Sequence, residues 1–162
     1  MRTKKLVAAV DPLVAGLVGA LLACSAWGQG ITSVEGKKFF ERYVALGEAY
    51  DVAVADLYLD NSRIVSLRRY PTGQQKTLEM TGAQWKQLIR GAMPLAKLKG
   101  DRSEYKNVRL ESAGNLVRVR ADRYSVLKCY WDNNYYMVIR QQSDGSLRIV
   151  EEYAETQPQS DC

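Results

Sequence analysis

Val108-Arg109-Leu110-Glu111-Ser112-Ala113-Gly114-Asn115-Leu116-Val117-Arg118-Val119-Arg120-Ala121-Asp122 decides the fold. Val108 and Leu110 alternate with Arg109 and Glu111, Ala113-Gly114-Asn115 turns the chain, and Val117, Val119 and Ala121 alternate with Arg118, Arg120 and Asp122. A period of two on both sides of a glycine turn is a hairpin with one apolar face. The second strand is expected to run on through Cys129 to Tyr130. Asp132-Asn133-Asn134 then turns into a strand from Tyr135 to Arg140, and Ser143-Asp144-Gly145 leads into Leu147-Arg148-Ile149-Val150-Glu151-Glu152. Four antiparallel strands in succession make a meander.

Upstream the period lengthens. Thr32 and Glu35 form a capping box, after which Phe39/Phe40, Tyr43/Val44 and Gly47 recur at helical spacing. Asp51 caps a second, short helix over Val52 to Tyr58, and Asp60-Asn61-Ser62 reads as a turn. A hairpin follows: Arg63 to Tyr70, the turn Pro71-Thr72-Gly73, then Lys76 to Met80. Thr81 and Gln84 make another capping box, with Trp85, Leu88, Ile89 and Ala92 at i, i+3, i+4, i+7 in a helix that Pro94 ends or kinks. Helices before a meander predict an α+β domain. Three N-terminal helices pack in a curved, mostly antiparallel sheet of about six strands.

The first 28 residues have the composition of a cleavable secretory signal. Arg2, Lys4 and Lys5 precede an apolar run from Leu13 to Ala23, and eleven helical residues cover roughly 17 Å, too little for a hydrocarbon core of about 30 Å. Ala26-Trp27-Gly28 offers a small-x-small cleavage site before Gln29. The rival reading is a lipobox, Leu21-Leu22-Ala23-Cys24, in which Cys24 is acylated and the membrane becomes an anchor. The expected organisation is therefore signal 1–28, one domain 29–156 and a polar tail 157–162. The expected location is the periplasm or the exterior.

Of the 162 residues, 23 are Lys or Arg and 18 Asp or Glu. Without the signal the net charge is +3, with the basic groups scattered, so nucleic acid is not an expected partner. Cys129 and Cys162 are an even pair for an oxidising compartment. A bridge across their 33-residue separation would stabilise by about 3–4 kcal/mol. The alternative is a buried Cys129 thiol and a frayed Cys162.

The element order, over nearly all the exported chain, resembles the nuclear-transport-factor-2-like superfamily, a curved sheet around three helices in a cone. Ala53-Val54-Ala55-Asp56-Leu57-Tyr58-Leu59-Asp60-Asn61-Ser62 resembles its second helix and acidic turn, and Ser143-Asp144-Gly145-Ser146-Leu147-Arg148-Ile149-Val150-Glu151 its closing hairpin. Arg42-Tyr43-Val44-Ala45-Leu46 is similar to the first helix of bacterial ketosteroid isomerases, whose tyrosine donates to a developing enolate. The resemblance places Ser66 where those enzymes carry a general-base aspartate, and Asp122 is a poor match to their second donor. A serine does not shuttle that proton unaided, so the comparison implies the fold without the isomerase base.

Histidine is absent altogether. This removes Ser-His-Asp and Cys-His nucleophiles, the superfamily's histidine-dependent dehydratases and ordinary zinc catalysis. No metal site, phosphate loop or dinucleotide fingerprint is present in the sequence, and no cofactor is implied. Glu151 and Glu152, adjacent on a strand, point to opposite faces. Asp56 and Asp60 read as surface and turn residues.

No catalytic residue is expected. The remaining candidates are Tyr43, Tyr58 and Trp85 for a small apolar molecule, and Arg118, Arg120, Tyr130, Trp131 and Tyr135 for a protein partner, a second copy of the chain included. The arginines read equally as a solvated sheet face, and the aromatics as hairpin packing. The expectation is a non-catalytic binding domain, an immunity or accessory protein being one form. The alternatives are a cone-fold isomerase, dehydratase or hydrolase using tyrosine and carboxylate groups, and a structural envelope lipoprotein.

Overall fold

The computed structural model describes residues 30–162; the expected signal, its expected cleavage site and Cys24 lie outside the described residues. Helix α1 (Ser33–Glu48) is followed by a 3₁₀ helix (Val52–Leu57), then strands β1 (Tyr58–Arg69) and β2 (Gln75–Thr81), helix α2 (Gly82–Lys99), and strands β3 (Ser103–Ala113), β4 (Leu116–Ser125), β5 (Tyr130–Asp132), β6 (Tyr136–Gln141) and β7 (Leu147–Thr156). The fold is α+β.

Both capping boxes form. Thr32 and Thr81 each accept from the backbone N–H of Glu35 and Gln84, whose side chains reach back to the cap residue's own N–H. Pro94 does not end α2. The helix runs on to Lys99, where Gly100 adopts φ 66° and closes it.

The sheet order is β2-β1-β7-β6-β4-β3, with β5 on β4. From β3 to β7 the expected meander forms, antiparallel throughout. One pairing is parallel: β7 returns beside β1, aligning Ile64 with Glu152, Ser66 with Ala154 and Arg68 with Thr156. Register shifts between Tyr58 and Arg63, between Lys106 and Arg109, and beside Ile139 bend the sheet, as bulges do.

Three local readings need correction. The second helix is 3₁₀ and stops at Leu57, so Tyr58 opens a strand. Asp60-Asn61-Ser62 is no turn but the irregular start of β1, where the buried Ser62 hydroxyl donates to the carbonyls of Leu59 (2.8 Å) and Ile149 (2.6 Å). The strand expected through to Tyr130 stops at Ser125. A turn intervenes, closed by Cys129 N–H to Ser125 O at 2.8 Å with Cys129 at φ 56°.

The core lies between α1 and the concave face. Phe39 and Phe40 from the helix meet Val117, Val119, Met137, Ile139 and Ile149 from the sheet. Each such side chain contributes about 1.5–3 kcal/mol on burial. Gly36 allows the approach: a Cβ there would lie 2.7 Å from Val117 Cγ1.

Candidate functional site: a cone cavity with a buried glutamate

Helix α1 covers only part of the concave face. Between α1, α2 and the inner surface of β1, β2 and β7 lies an open cavity of about 530 Å³. Strand alternation supplies its wall: Ile64, Ser66 and Arg68 line it from β1, and Glu152, Ala154 and Thr156 from β7. Trp85, Leu88, Ile89 and Met93 close the side from α2.

Glu152 is the chemical centre. It is buried, and three tyrosine hydroxyls donate to it: Tyr43 from α1 to Oε1 at 3.0 Å, Tyr135 to Oε1 at 2.8 Å, and Tyr58 to Oε2. Burial raises all three phenols well above their ordinary value, and the charge of Glu152 raises them further. These hydroxyls therefore stay protonated and act as donors. Tyr105 packs edge-on to Phe40 at 5.2 Å and against Tyr135 at 5.3 Å, completing an aromatic collar around the carboxylate.

The three residues expected to meet a small molecule, Tyr43, Tyr58 and Trp85, do share this cavity. The indole N–H of Trp85, on α2, lies beside the Tyr58 hydroxyl, and the Nε–H of Arg68, on β1, is buried without a hydrogen-bond partner among the described residues. Ser66 also lines the cavity, its hydroxyl 3.2 Å from that of Thr156.

The residues grouped for a protein partner separate. Tyr135, just before β6, is turned into the cone and Tyr130, on β5, is buried, so neither presents a surface. Trp131 is 42% exposed, packed at a tilt against Tyr124 with ring centroids 4.9 Å apart and Lys106 over its ring. Arg118 and Arg120 lie over the ring of Tyr136, on the same outer face as Trp131. Cys129 and Cys162 are bonded. Asp122 accepts from Asn107, while Asp56 and Asp60 pair with Arg90 and Lys86 on the exterior. Glu151 and Glu152 take opposite faces as expected, Glu151 being the outward one and accepting from Tyr136 at 2.6 Å. Glu152 enters the sequence reading only as the neighbour of Glu151 and not as a site residue, and Arg68 does not enter it.

This architecture is the NTF2-like cone fold, shared with many solved structures. An NTF2-like protein of unknown function from Pseudomonas putida KT2440 is 15% identical, with 75% of this chain and 84% of that one covered and a TM-score of 0.56. A candidate ketosteroid isomerase from Parabacteroides distasonis ATCC 8503 is 13% identical over 78% and 93% of the two chains, TM-score 0.51. Yeast UBP3-associated protein BRE5 is 11% identical over 77% and 96%, TM-score 0.57. The sequence matches no family model and no curated protein. At these identities the likeness is one of fold.

Proposed function

We propose that this chain is an exported binding domain that takes a small, largely apolar molecule carrying a hydrogen-bond acceptor into its cone. The observation that carries this reading is the open, mainly apolar and aromatic cavity with the Arg68 Nε–H unpartnered on its wall among the described residues. Its volume lies within the range of small-molecule sites. A buried donor without a partner costs about 1–3 kcal/mol, which a ligand oxygen at the Arg68 Nε–H recovers. The Cys129–Cys162 bond supports an oxidising compartment, and no helix among the described residues is long and apolar enough to cross a membrane. Titration of the full chain with 1-dodecanol, followed by tryptophan emission, tests the proposal. Saturable quenching or a blue shift that Trp85→Phe removes is expected; an emission spectrum unchanged at the alcohol's solubility limit overturns it.

One observation favours a second reading, acid–base catalysis: a buried carboxylate beside tyrosines at a cavity wall. Against it, three of about four acceptor sites on Glu152 are already taken by tyrosine hydroxyls. Isomerisation of a β,γ-unsaturated ketosteroid, abolished by Glu152→Gln, would establish the catalytic reading.

A further inference from the structure

The cavity wall holds a cation with nothing to neutralise it. Arg68 lies on the concave face of β1, level with Thr156 of β7, whereas Glu152 is level with Ile64. Four residues of strand, roughly 13 Å, separate the two levels. The other arginines of this region are engaged: Arg123 with Asp132 at 3.4 Å and the Glu155 carbonyl at 2.8 Å, Arg102 with Glu104, and Arg69 with Glu155. Among the described residues Arg68 has no ion-pair partner, and its buried Nε–H has no acceptor. Glu48 and Asp101, the remaining acids of the lining, are exposed and stand beyond ion-pair distance from it.

We propose that the ligand is an amphipathic monocarboxylate, its apolar body in the cone and its carboxylate on the guanidinium of Arg68. The inference rests on the reading that the cone holds a small apolar molecule, and it adds the charge and the orientation. Guanidinium presents paired N–H donors matched to the two oxygens of a carboxylate. A single free cation neutralises one negative charge, so a phosphate dianion would leave charge uncompensated beside the apolar wall. Glu152 repels an anion from its own level, which fixes the acid end at Arg68.

The test compares dodecanoate with 1-dodecanol, same chain and different head, binding to the full chain below the micellar range by calorimetry at neutral pH. Dodecanoate is expected to bind at least about tenfold tighter than the alcohol, as a charge-assisted hydrogen bond in a partly buried site allows. Arg68→Gln should remove that advantage while leaving the alcohol's affinity within about twofold. Equal affinities in the unaltered chain overturn the carboxylate assignment and leave the cone reading standing. Loss of both ligands in Arg68→Gln also overturns it, since the residue would then act only on the structure. Binding of neither molecule to the unaltered chain overturns this inference and the cone reading together.

Discussion

The hydroxyl of Tyr43 on α1 donates to Oε1 of Glu152 on β7 at 3.0 Å, across 109 residues of sequence. With Tyr58 and Tyr135 on the same carboxylate, one side chain ties the first helix to three strands or strand ends. The cluster shapes the cavity wall and stabilises the domain at once.

Replacing Glu152 separates these roles. Glu152→Leu strands three buried hydroxyls and is expected to destabilise by about 3 kcal/mol or more, whereas Glu152→Gln, which keeps an acceptor, costs about 1–2 kcal/mol. Urea unfolding midpoints of the two variants check the order.

The same tyrosines set the alkaline limit. Their folded-state ionisation lies well above the ordinary value of 10.0, because burial and the Glu152 charge oppose it. Above about pH 10 the unfolded chain releases these protons and the folded chain keeps them, so stability falls as pH rises. The contribution is complete below pH 10 and is lost on the way to the folded-state values. Each of Tyr43→Phe, Tyr58→Phe and Tyr135→Phe should flatten the decline by about 1.4 kcal/mol per pH unit. Unfolding free energies between pH 9 and 12 give the slopes.

The bond between Cys129 and Cys162 closes a 33-residue separation and holds the tail, where Asp161 N–H meets Lys128 O at 2.8 Å. Cys162→Ser is expected to lower stability by about 2–4 kcal/mol, with reductant producing the same shift in the unaltered chain and none in the variant. Thermal melts with and without reductant measure it.

Gly82 starts α2 hard against β1, where a Cβ would stand 1.8 Å from the carbonyl oxygen of Leu59. Gly82→Ala must displace backbone and should cost about 1–3 kcal/mol, while Gly91→Ala, with open space around it, should be neutral or stabilising. Chemical denaturation of both variants distinguishes contact from helix propensity.

The helices were readable because their signals are local: Thr32 with Glu35 and Thr81 with Gln84 span three residues each. The meander was readable because Val117, Val119 and Ala121 keep strict alternation. Glu152 was hidden for the opposite reason. Val138 pairs with Glu151 and Ile139 with Ile149, so Val150 is an extra residue that shifts the phase of β7. Counting by twos from Ile149 points Glu151 inward; the bulge hands that place to Glu152. Asp60-Asn61-Ser62 misled in a similar way, since the Ser62 hydroxyl is satisfied by the carbonyl of Ile149 on β7, a partner 87 residues away. Arg68 carried no signal of its own, because an arginine in a strand says nothing about which face will enclose a cavity.

The position of β7 also bears on how the chain reaches this state. It is the last strand to be synthesised, yet it lies between β1 and β6 and alone joins the β2-β1 hairpin to the β6-β4-β3 ribbon. Until residues 147–156 dock, the two halves of the sheet have no common edge. Glu152 is likewise missing, and three phenols lack their acceptor. Closure of the cone thus waits on a long-range pairing, and without β7 each half of the sheet keeps an open edge.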